Sequence, residues 1–241
     1  MEVRSLYRAP EPHVEPANVE WPALELHDVF KIFRSGPVET VALRGVSLKL
    51  HVRELTAILG PSGCGKSTLL SLAAALDEPS AGEVRSHGVS LARLDEGELA
   101  DYRAREIAVV FQSDNLWPTL TARENVELAL QLAGSDGIRD RSHAALDSFG
   151  LAGRADNHPS ELSGGEQQRV AIAAAAARDA KLLLADEPTG ELDRDNERIV
   201  LEALERLRSE HGATVLLVTH SGAVAEAADR VIQMRDGRRV A

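Results

Sequence analysis

The sequence is poor in several features that would mark other classes of protein. It has one cysteine, Cys64, in 241 residues, so no disulfide can form within the chain, as is usual in a reducing cytosol. Aromatic residues make up only 3%, so a core must consist mainly of Leu, Val, Ile and Ala. No apolar run approaches the roughly 20 residues that a membrane-spanning helix needs, and the N-terminus lacks the charged-then-apolar pattern of a signal peptide. Work at a membrane would therefore depend on other subunits.

Basic residues are outnumbered by acidic ones. The chain has 27 Lys and Arg against 38 Asp and Glu, a formal net charge of -11. Sequence-independent binding of nucleic acid needs a positively charged surface rich in Lys and Arg. The excess of acidic residues therefore argues against nucleic acid as a partner. The length and the 44% hydrophobic content suit one sizeable α/β domain with room for an inserted subdomain.

The first residues differ in composition from the rest. Residues 1–22 combine Pro10, Pro12, Pro16 and Pro22 with several glutamates, which predicts an extended, weakly ordered tail. Residues 23–241 then form a single domain, and the alternation of apolar and polar residues over 24–29 and 46–50 predicts half-buried strands.

Strand and helix patterns alternate through most of the chain. Residues 55–59 form a nearly continuous apolar run, typical of a central strand buried on both faces, and a helix is predicted from Gly65–Lys66 through Leu76. Apolar strands are predicted again at 182–185 and 215–218, with a helix over 193–209 between them. This order predicts a mostly parallel sheet with helices on both faces.

The middle of the chain shows helical patterns only. Thr121 is placed to cap a helix together with Glu124, and an Ala-rich helix is predicted over 170–177. Residues from about 116 to 178 therefore read as a helical subdomain inserted in the α/β core.

One loop matches the phosphate-binding pattern at every fixed position, with a strand before it and a helix after it. It consists of Gly60, Pro61, Ser62, Gly63, Cys64, Gly65, Lys66, Ser67 and Thr68. Backbone N–H groups of such a loop and the positive end of the following helix bind phosphate. Lys66 is expected to reach the β- and γ-phosphates and Ser67 to bind Mg²⁺. The alternative is a Gly-rich turn that happens to contain Lys-Ser.

A second motif, which is acidic, completes this site. Asp186 and Glu187 follow the apolar strand at 182–185, and ligands of open α/β sheets bind at the carboxyl ends of strands. Asp186 is expected to hold Mg²⁺, directly or through water, and Glu187 to orient and activate the attacking water. Alone the pair is a weak indication, since many strands end in acids; with the phosphate loop it is strong.

Between these motifs lies the run Leu162-Ser163-Gly164-Gly165-Glu166, called the signature run below. With it, the sequence resembles the ATP-binding-cassette (ABC) ATPases over residues 24–240. The resemblance implies a P-loop NTPase fold of the ABC type: a mostly parallel core sheet, an N-terminal antiparallel β portion and an inserted helical subdomain. It also implies that two such domains close on two ATP molecules. The signature run of each, Ser163, Gly164, Gly165 and Glu166, then caps the ATP held by the other.

The resemblance assigns further residues. Gln112 is implied to contact Mg²⁺ and the attacking water and to link the core to the helical subdomain. His220 is implied to contact the γ-phosphate, although a lone His at a strand end is often only a polar terminus. Phe33 is implied to stack on adenine, with Phe30 as a competitor and a core or edge role as the alternative. Asp193 is implied to lie in a loop that touches the partner domain.

Within the superfamily, the sequence is most similar to the small ATPases of macrolide exporters, lipoprotein-release systems and the cell-division transporter-like complex. The supporting runs are 41–48, 111–116, 119–126 and 185–190.

The chain departs from the family pattern at four places. Cys64 replaces Ser or Ala, and its side chain is expected to point away from phosphate. Arg53 stands where a glycine usually precedes Glu54, so that turn is expected to be unusual. Ala174 replaces a common Arg, which removes an expected ion pair, and Glu191 replaces a common Asn in the partner-facing loop.

Three functional hypotheses follow. The first is an ATP-hydrolysing subunit, with ATP and Mg²⁺ as cofactors, that pairs with a second copy or a homologous domain and drives integral membrane transporter subunits from the cytoplasmic face. The second is the same ATPase regulating an extracytoplasmic enzyme without moving solute. The third, a cassette acting on ribosomes or DNA, is disfavoured by the acidic charge and the single cassette. Trp117 is expected either to help receive a helix of the membrane subunit or to fill the helical subdomain's core.

Overall fold

The computed structural model describes residues 21–240; residues 1–20 of the predicted tail lie outside this range. Trp21 packs on the turn at Gly88, where an added Cβ would lie 2.6 Å from the indole ring. The Ala23 N–H donates to the Leu50 carbonyl at 2.9 Å. The segment just before the first strand is thus tied to the sheet by a ring contact and by backbone hydrogen bonds, including one that the His87 N–H donates to the Ala23 carbonyl at 3.3 Å.

The strands and helices alternate largely as the sequence patterns predict. The strands are β1 (Leu24–Ser35), β2 (Val38–Leu50), β3 (Leu55–Leu59), β4 (Ala81–Ser86), β5 (Val89–Ser90), β6 (Ile107–Val110), β7 (Leu182–Asp186), β8 (Thr214–Thr219), β9 (Arg230–Arg235) and β10 (Arg238–Arg239). The helices are α1 (Lys66–Ala73), α2 (Glu96–Asp101), α3 (Ala122–Leu132), α4 (Ile138–Ser148), α5 (Gly164–Ala177), α6 (Arg194–His211) and α7 (Gly222–Ala225).

Two sheets are formed. The first is antiparallel, with the order β2-β1-β4-β5, and the second has the order β10-β9-β3-β8-β7-β6. In the second sheet β3 runs parallel to β8 and β9, and β7 runs parallel to β8 and β6. The predicted α/β fold, with a mostly parallel core sheet and an antiparallel N-terminal portion, is confirmed. The strand order sets the carboxyl ends of β6, β7, β8 and β3 side by side.

The core between the two sheets is built from aliphatic side chains, as the scarcity of aromatics requires. It includes Leu26 and Leu43 of the first sheet, Ile58 of β3, and Leu69 and Leu72 of α1, all almost fully buried. Burying one such side chain stabilises the fold by about 1.5–3 kcal/mol. This packing fixes α1, and with it the loop that precedes α1, against β3.

Residues 111–181, all of which the structure describes, contain helices and no strand. The predicted cap is confirmed: the Thr121 hydroxyl accepts from the Glu124 N–H, and Glu124 Oε2 accepts from the Thr121 N–H at 2.8 Å. α3, α4 and α5 pack through buried residues such as Val126, Leu146 and Ile172. α5 begins at Gly164, so the signature run forms its N-terminal cap and first turn.

The C-terminal end of the first helix is predicted wrongly. α1 ends at Ala73, not at Leu76, and the Leu76 side chain is exposed. Ala75 adopts a left-handed φ of 52°. The N–H groups of Ala75 and Leu76 donate to the carbonyls of Leu72 and Ser71, the hydrogen-bond pattern that closes many helices. Glycine usually occupies this left-handed position, so an alanine there does not indicate in the sequence that the helix ends.

The turn before β3 is unusual, as expected from its missing glycine. Arg53 has a φ of 63°, a conformation that costs a non-glycine residue energy. Its N–H donates to the Thr214 hydroxyl at 3.0 Å, and an added Cβ on Gly212 would lie 3.2 Å from its guanidinium. Contacts with the start of β8 therefore hold the strained residue in place.

Candidate active site

The predicted site residues follow strands that are neighbours in the sheet. Gln112 lies just after β6, Asp186 ends β7 with Glu187 next to it, His220 follows β8, and the phosphate loop follows β3. Since the carboxyl ends of parallel strands meet at one edge, four segments that are distant in the sequence converge there.

The phosphate loop needs glycine at its last turn. Gly65 has a φ of 102°, and a Cβ added to it would lie 2.5 Å from the Ala42 carbonyl oxygen of β2. The loop thereby passes close beneath β2 and leads directly into α1. The Cys64 side chain is buried in the core between the sheets, so it points away from the loop's concave side, as expected.

A cleft of about 540 Å³ opens beside this loop. Nine of the predicted residues line it: Ser62, Gly63, Gly65, Lys66, Ser67, Thr68, Gln112, Asp186 and Glu187. Five further lining residues were not predicted from the sequence: Thr40, Val41, Ala42, Phe111 and Ser113. Thr40, Val41 and Ala42 of β2 reach the cleft only because the first sheet folds over the second. No local sequence pattern predicts that contact.

Lys66 is a buried cation within the cleft. Its side chain is 5% exposed, and Nζ donates to the carbonyls of Gly60 and Pro61 at 2.8 and 3.1 Å. Glu187 Oε1 lies 3.6 Å from Nζ. A phosphate entering the cleft would meet a desolvated ammonium group, for which an anionic oxygen is a stronger partner than a neutral carbonyl.

Asp186 and Ser67 supply hard oxygen ligands. Burial raises the pKa of Asp186 above its ordinary value, and a hydrogen bond from the Ser67 side chain opposes that shift. A half-buried carboxylate beside a hydroxyl fits Mg²⁺, which is usually bound by one or two carboxylates plus substrate phosphates. Within residues 21–240 no cluster of three or more His, Cys, Asp or Glu is placed to hold a metal.

Glu187 is held in a strained position. Its φ of 48° lies in the left-handed region, which costs a non-glycine residue energy and recurs at functional sites. Its Oε2 lies 2.6 Å from His220 Nδ1. The side chain is mostly buried while the imidazole is exposed. The carboxylate thus lies between Lys66 and His220 and lines the cleft.

The signature run does not line this cleft. Ser163 is the N-cap of α5: its hydroxyl oxygen accepts from the Glu166 N–H, and Glu166 Oε2 accepts from the Ser163 N–H at 2.8 Å. The hydroxyl proton stays available for an outside acceptor. Gly165 lies so close to α6 that an added Cβ would be 2.7 Å from Asn196 Oδ1. The positive end of α5 therefore lies next to the start of α6, where Asp193 caps that helix through the Asn196 N–H.

Phe33 lies next to the cleft and outside its lining. On β1 it pairs with Thr40, and opposite residues of an antiparallel pair point to the same face. Its ring is 44% exposed, with Lys31 Nζ 5.1 Å from the ring centroid. Phe30 instead packs on Gly45. Of the two phenylalanines, Phe33 is the one left free beside a residue of the cleft.

The loop that carries Gln112 is clamped to α5 by residues that the sequence analysis did not single out. The Gln168 amide donates to the carbonyls of Phe111 and Gln112 at 2.9 and 2.7 Å, and accepts from Asn115 Nδ2 at 2.9 Å. Gln168 is almost fully buried. A glutamine on a helix gives no sign of this role, because only the packing of α5 on β6 brings it to the loop.

Comparisons with known proteins agree with this geometry. A family model described as "ABC transporter" matches residues 43–190. The chain belongs to the ABC transporter family. As an ABC ATPase, it carries the nucleotide-binding cassette that hydrolyses ATP.

Two kinds of curated protein are similar to this ABC ATPase. The chain is 43% identical over 219 residues to the macrolide export ATP-binding/permease protein MacB of Syntrophobacter fumaroxidans, covering 89% of this chain and 30% of that protein. It is 45% identical over 217 residues to an uncharacterized ABC transporter ATP-binding protein of Thermotoga maritima, covering 89% and 92%. The chain thus spans about a third of the MacB relatives and most of the second kind.

Solved ABC cassettes share the fold. The dimeric structure of the bacterial ABC transporter cassette MJ0796 matches with a TM-score of 0.83 and 40% identity, over 90% of this chain and 97% of that one. A dimeric post-hydrolysis state of MJ0796 bound to ADP and Pi matches with a TM-score of 0.83 and 39% identity, over the same shares. None of the helices within residues 21–240 is both long and apolar enough to cross a membrane.

The clamp in this ABC ATPase gives a stability prediction. Gln168→Leu would leave the Phe111 and Gln112 carbonyls without their donor in a buried place, which costs about 1–3 kcal/mol. We expect urea unfolding to show that loss in the free energy of unfolding. The control is Gln131→Leu at an exposed position of α3, for which a change within about 0.5 kcal/mol is expected. Equal stability of the two variants would contradict the clamp.

Proposed function

We propose that the chain is the ATP-binding and ATP-hydrolysing subunit of an ABC transporter complex, closing as a dimer around two Mg-ATP to drive separate transmembrane subunits. The observation that supports this most is the single cleft in which Lys66, Ser67, Asp186 and Glu187 meet. Groups that can bind phosphate, metal and water thus share one concave site at the carboxyl ends of β3 and β7.

Different residues of the site serve different roles in phosphoryl transfer. The loop N–H groups and Lys66 hold the phosphates, with Ser67, Gln112 and Asp186 as the ligands of Mg²⁺. When bound, the metal would neutralise the negative charge that develops on the phosphates. Phe33 stacks on the adenine beside Thr40.

Glu187 orients the attacking water and accepts its proton. This role is supported by its place in the lining of the cleft, 3.6 Å from Lys66, and by its hydrogen bond with His220. His220, with its imidazole exposed, contacts that phosphate once the nucleotide is bound.

The second half of each site comes from a partner copy or a homologous domain. The signature run lies outside the cleft of its own chain and presents a hydroxyl and the positive end of α5 to the outside. The MJ0796 cassette is dimeric, which supports the same arrangement here. Asp193 and its loop, next to the signature run, would then lie at the dimer contact.

The export or mechanotransmission type is favoured by the MacB relatives, whose name joins an ATP-binding part to a permease. Such a chain works on the cytoplasmic face of the membrane through its transmembrane subunits and needs no nucleic acid. The alternative is a complex that regulates an extracytoplasmic enzyme and moves no solute. Reconstitution of the chain with its membrane subunits separates the two: ATP-dependent accumulation or release of solute by vesicles supports transport, and its absence alongside ATP-dependent enzyme activation supports regulation.

Trp117 offers a test of the contact with the membrane subunits. Its side chain is 65% exposed, so the alternative role in the core of the helical segment is wrong. Exposed large aromatics often anchor protein interfaces. Trp117→Ala should reduce co-purification with the membrane subunits, while the isolated domain keeps its melting temperature and ATP affinity. The control is Val231→Ala, which trims another exposed apolar residue on β9. Undiminished co-purification of the Trp117 variant would remove Trp117 from the interface.

A further inference from the structure

The side-chain amide of Gln112 has a charged neighbour in the loop after β7. Gln112 Nε2 donates to Glu191 Oε1 at 3.2 Å. A carboxylate accepts hydrogen bonds and does not donate them, while an amide has one donating and one accepting end. Only the NH₂ end of Gln112 can therefore face Glu191, and Oε1 is directed away from that carboxylate.

The loop that carries Glu191 is held in place by its own backbone. The Gly190 N–H donates to the Glu187 carbonyl at 3.0 Å, and the Leu192 N–H donates to the Thr189 carbonyl at 3.1 Å. A Cβ added to Gly190 would lie 3.3 Å from Gln112 Nε2, so the missing side chain lets the amide come close. Glu191 therefore has a fixed relation to Glu187, with which its loop begins.

Gln112 is thus restrained at both ends. Its backbone carbonyl is bound by Gln168, and its amide nitrogen by Glu191, while its side chain lines the cleft with Asp186. The unused atom of the amide is Oε1, the type of oxygen that Mg²⁺ binds. The NH₂ end in the same place would repel a cation.

We propose that Glu191 is a positioning residue: its carboxylate selects the amide orientation in which Gln112 presents Oε1, and not NH₂, to the metal of the bound nucleotide. This inference rests on the metal site of the proposed function. A neutral Asn or Gln at position 191 would accept or donate equally well and leave both orientations of the Gln112 amide available. The negative charge of Glu191 therefore determines which orientation the Gln112 amide adopts.

The test measures binding of a metal–nucleotide complex without turnover. Mn²⁺ with a non-hydrolysable ATP analogue replaces Mg-ATP, and electron paramagnetic resonance reports the free Mn²⁺. Glu191→Gln should weaken Mn²⁺ binding about tenfold, the lower end of what loss of an orienting neighbour costs a metal site. Binding of the analogue without metal should not change. Asp195→Asn removes one negative charge from the same exposed stretch and should leave Mn²⁺ binding unchanged.

A double variant shows whether Glu191 acts through Gln112. In a Gln112→Ala background, adding Glu191→Gln should produce no further loss. Independent, multiplying effects would overturn the proposal, as would equal losses in Glu191→Gln and Asp195→Asn, or no loss in Glu191→Gln. Asp186→Asn separates the two levels of inference. If it binds Mn²⁺ as well as the unmodified protein, the proposed metal site fails; if it loses Mn²⁺ while Glu191→Gln does not, only the role of Glu191 fails.

Discussion

Glu187→Gln should keep ATP binding and lower the rate of ATP hydrolysis by about 10²–10⁴-fold, the usual contribution of a positioned general base. The amide preserves the shape of the side chain and cannot accept the proton of the attacking water. The backbone of Glu187 is strained, and its carboxylate lines the cleft 3.6 Å from Lys66 and hydrogen-bonded to His220. Phosphate release under saturating Mg-ATP measures the rate.

The same variant should accumulate as an ATP-bound dimer, because in the proposed cycle hydrolysis reopens the closed dimer. Size-exclusion chromatography with and without ATP measures this. Lys66→Ala is the contrasting variant: it should lose affinity for the nucleotide and stay monomeric under ATP. Hydrolysis by Glu187→Gln near the unmodified rate would remove Glu187 from its proposed role.

Mixed dimers of differently tagged chains should show that each site draws on both copies. Lys66→Ala in one copy with Ser163→Arg in the other damages one composite site twice and leaves the second site intact. Both changes in one copy, paired with an unmodified partner, damage one site each. The first dimer should therefore retain one site that occludes nucleotide, and the second dimer none. The reason is that Ser163 caps α5 outside the cleft that holds Lys66.

Vanadate trapping of radiolabelled nucleotide in the two purified dimers provides the measurement. Dimers that carry only the tags give the value for two working sites. The reverse pattern, with occlusion in the second dimer and none in the first, would mean that the signature run serves the nucleotide of its own chain. The head-to-tail arrangement would then have to be abandoned.

The sequence by itself determined the motifs and the local elements that carry them. Glycines at fixed spacing before Lys66 are a local requirement of the loop, and the apolar run before Asp186 is a local property of a buried strand. The cap at Thr121 followed from neighbouring residues in the same way, because each of these features depends on conformational preferences of a few consecutive residues. The side-chain direction of Cys64 and the unusual turn at Arg53 were expected instead from the departure of these two positions from the pattern of the family that the sequence resembles.

Only the tertiary structure decided what depends on contacts between distant segments. The order of β3, β8, β7 and β6 sets His220 beside Glu187, and no local pattern specifies which strands become neighbours. Gln168 reaches the Gln112 loop, and Glu191 reaches the Gln112 amide, across 56 and 79 residues of chain. The exposure of Trp117 is equally a result of packing. Local preferences fix the conformation of a motif, whereas partners across the fold are chosen by the burial of whole faces, to which every element contributes.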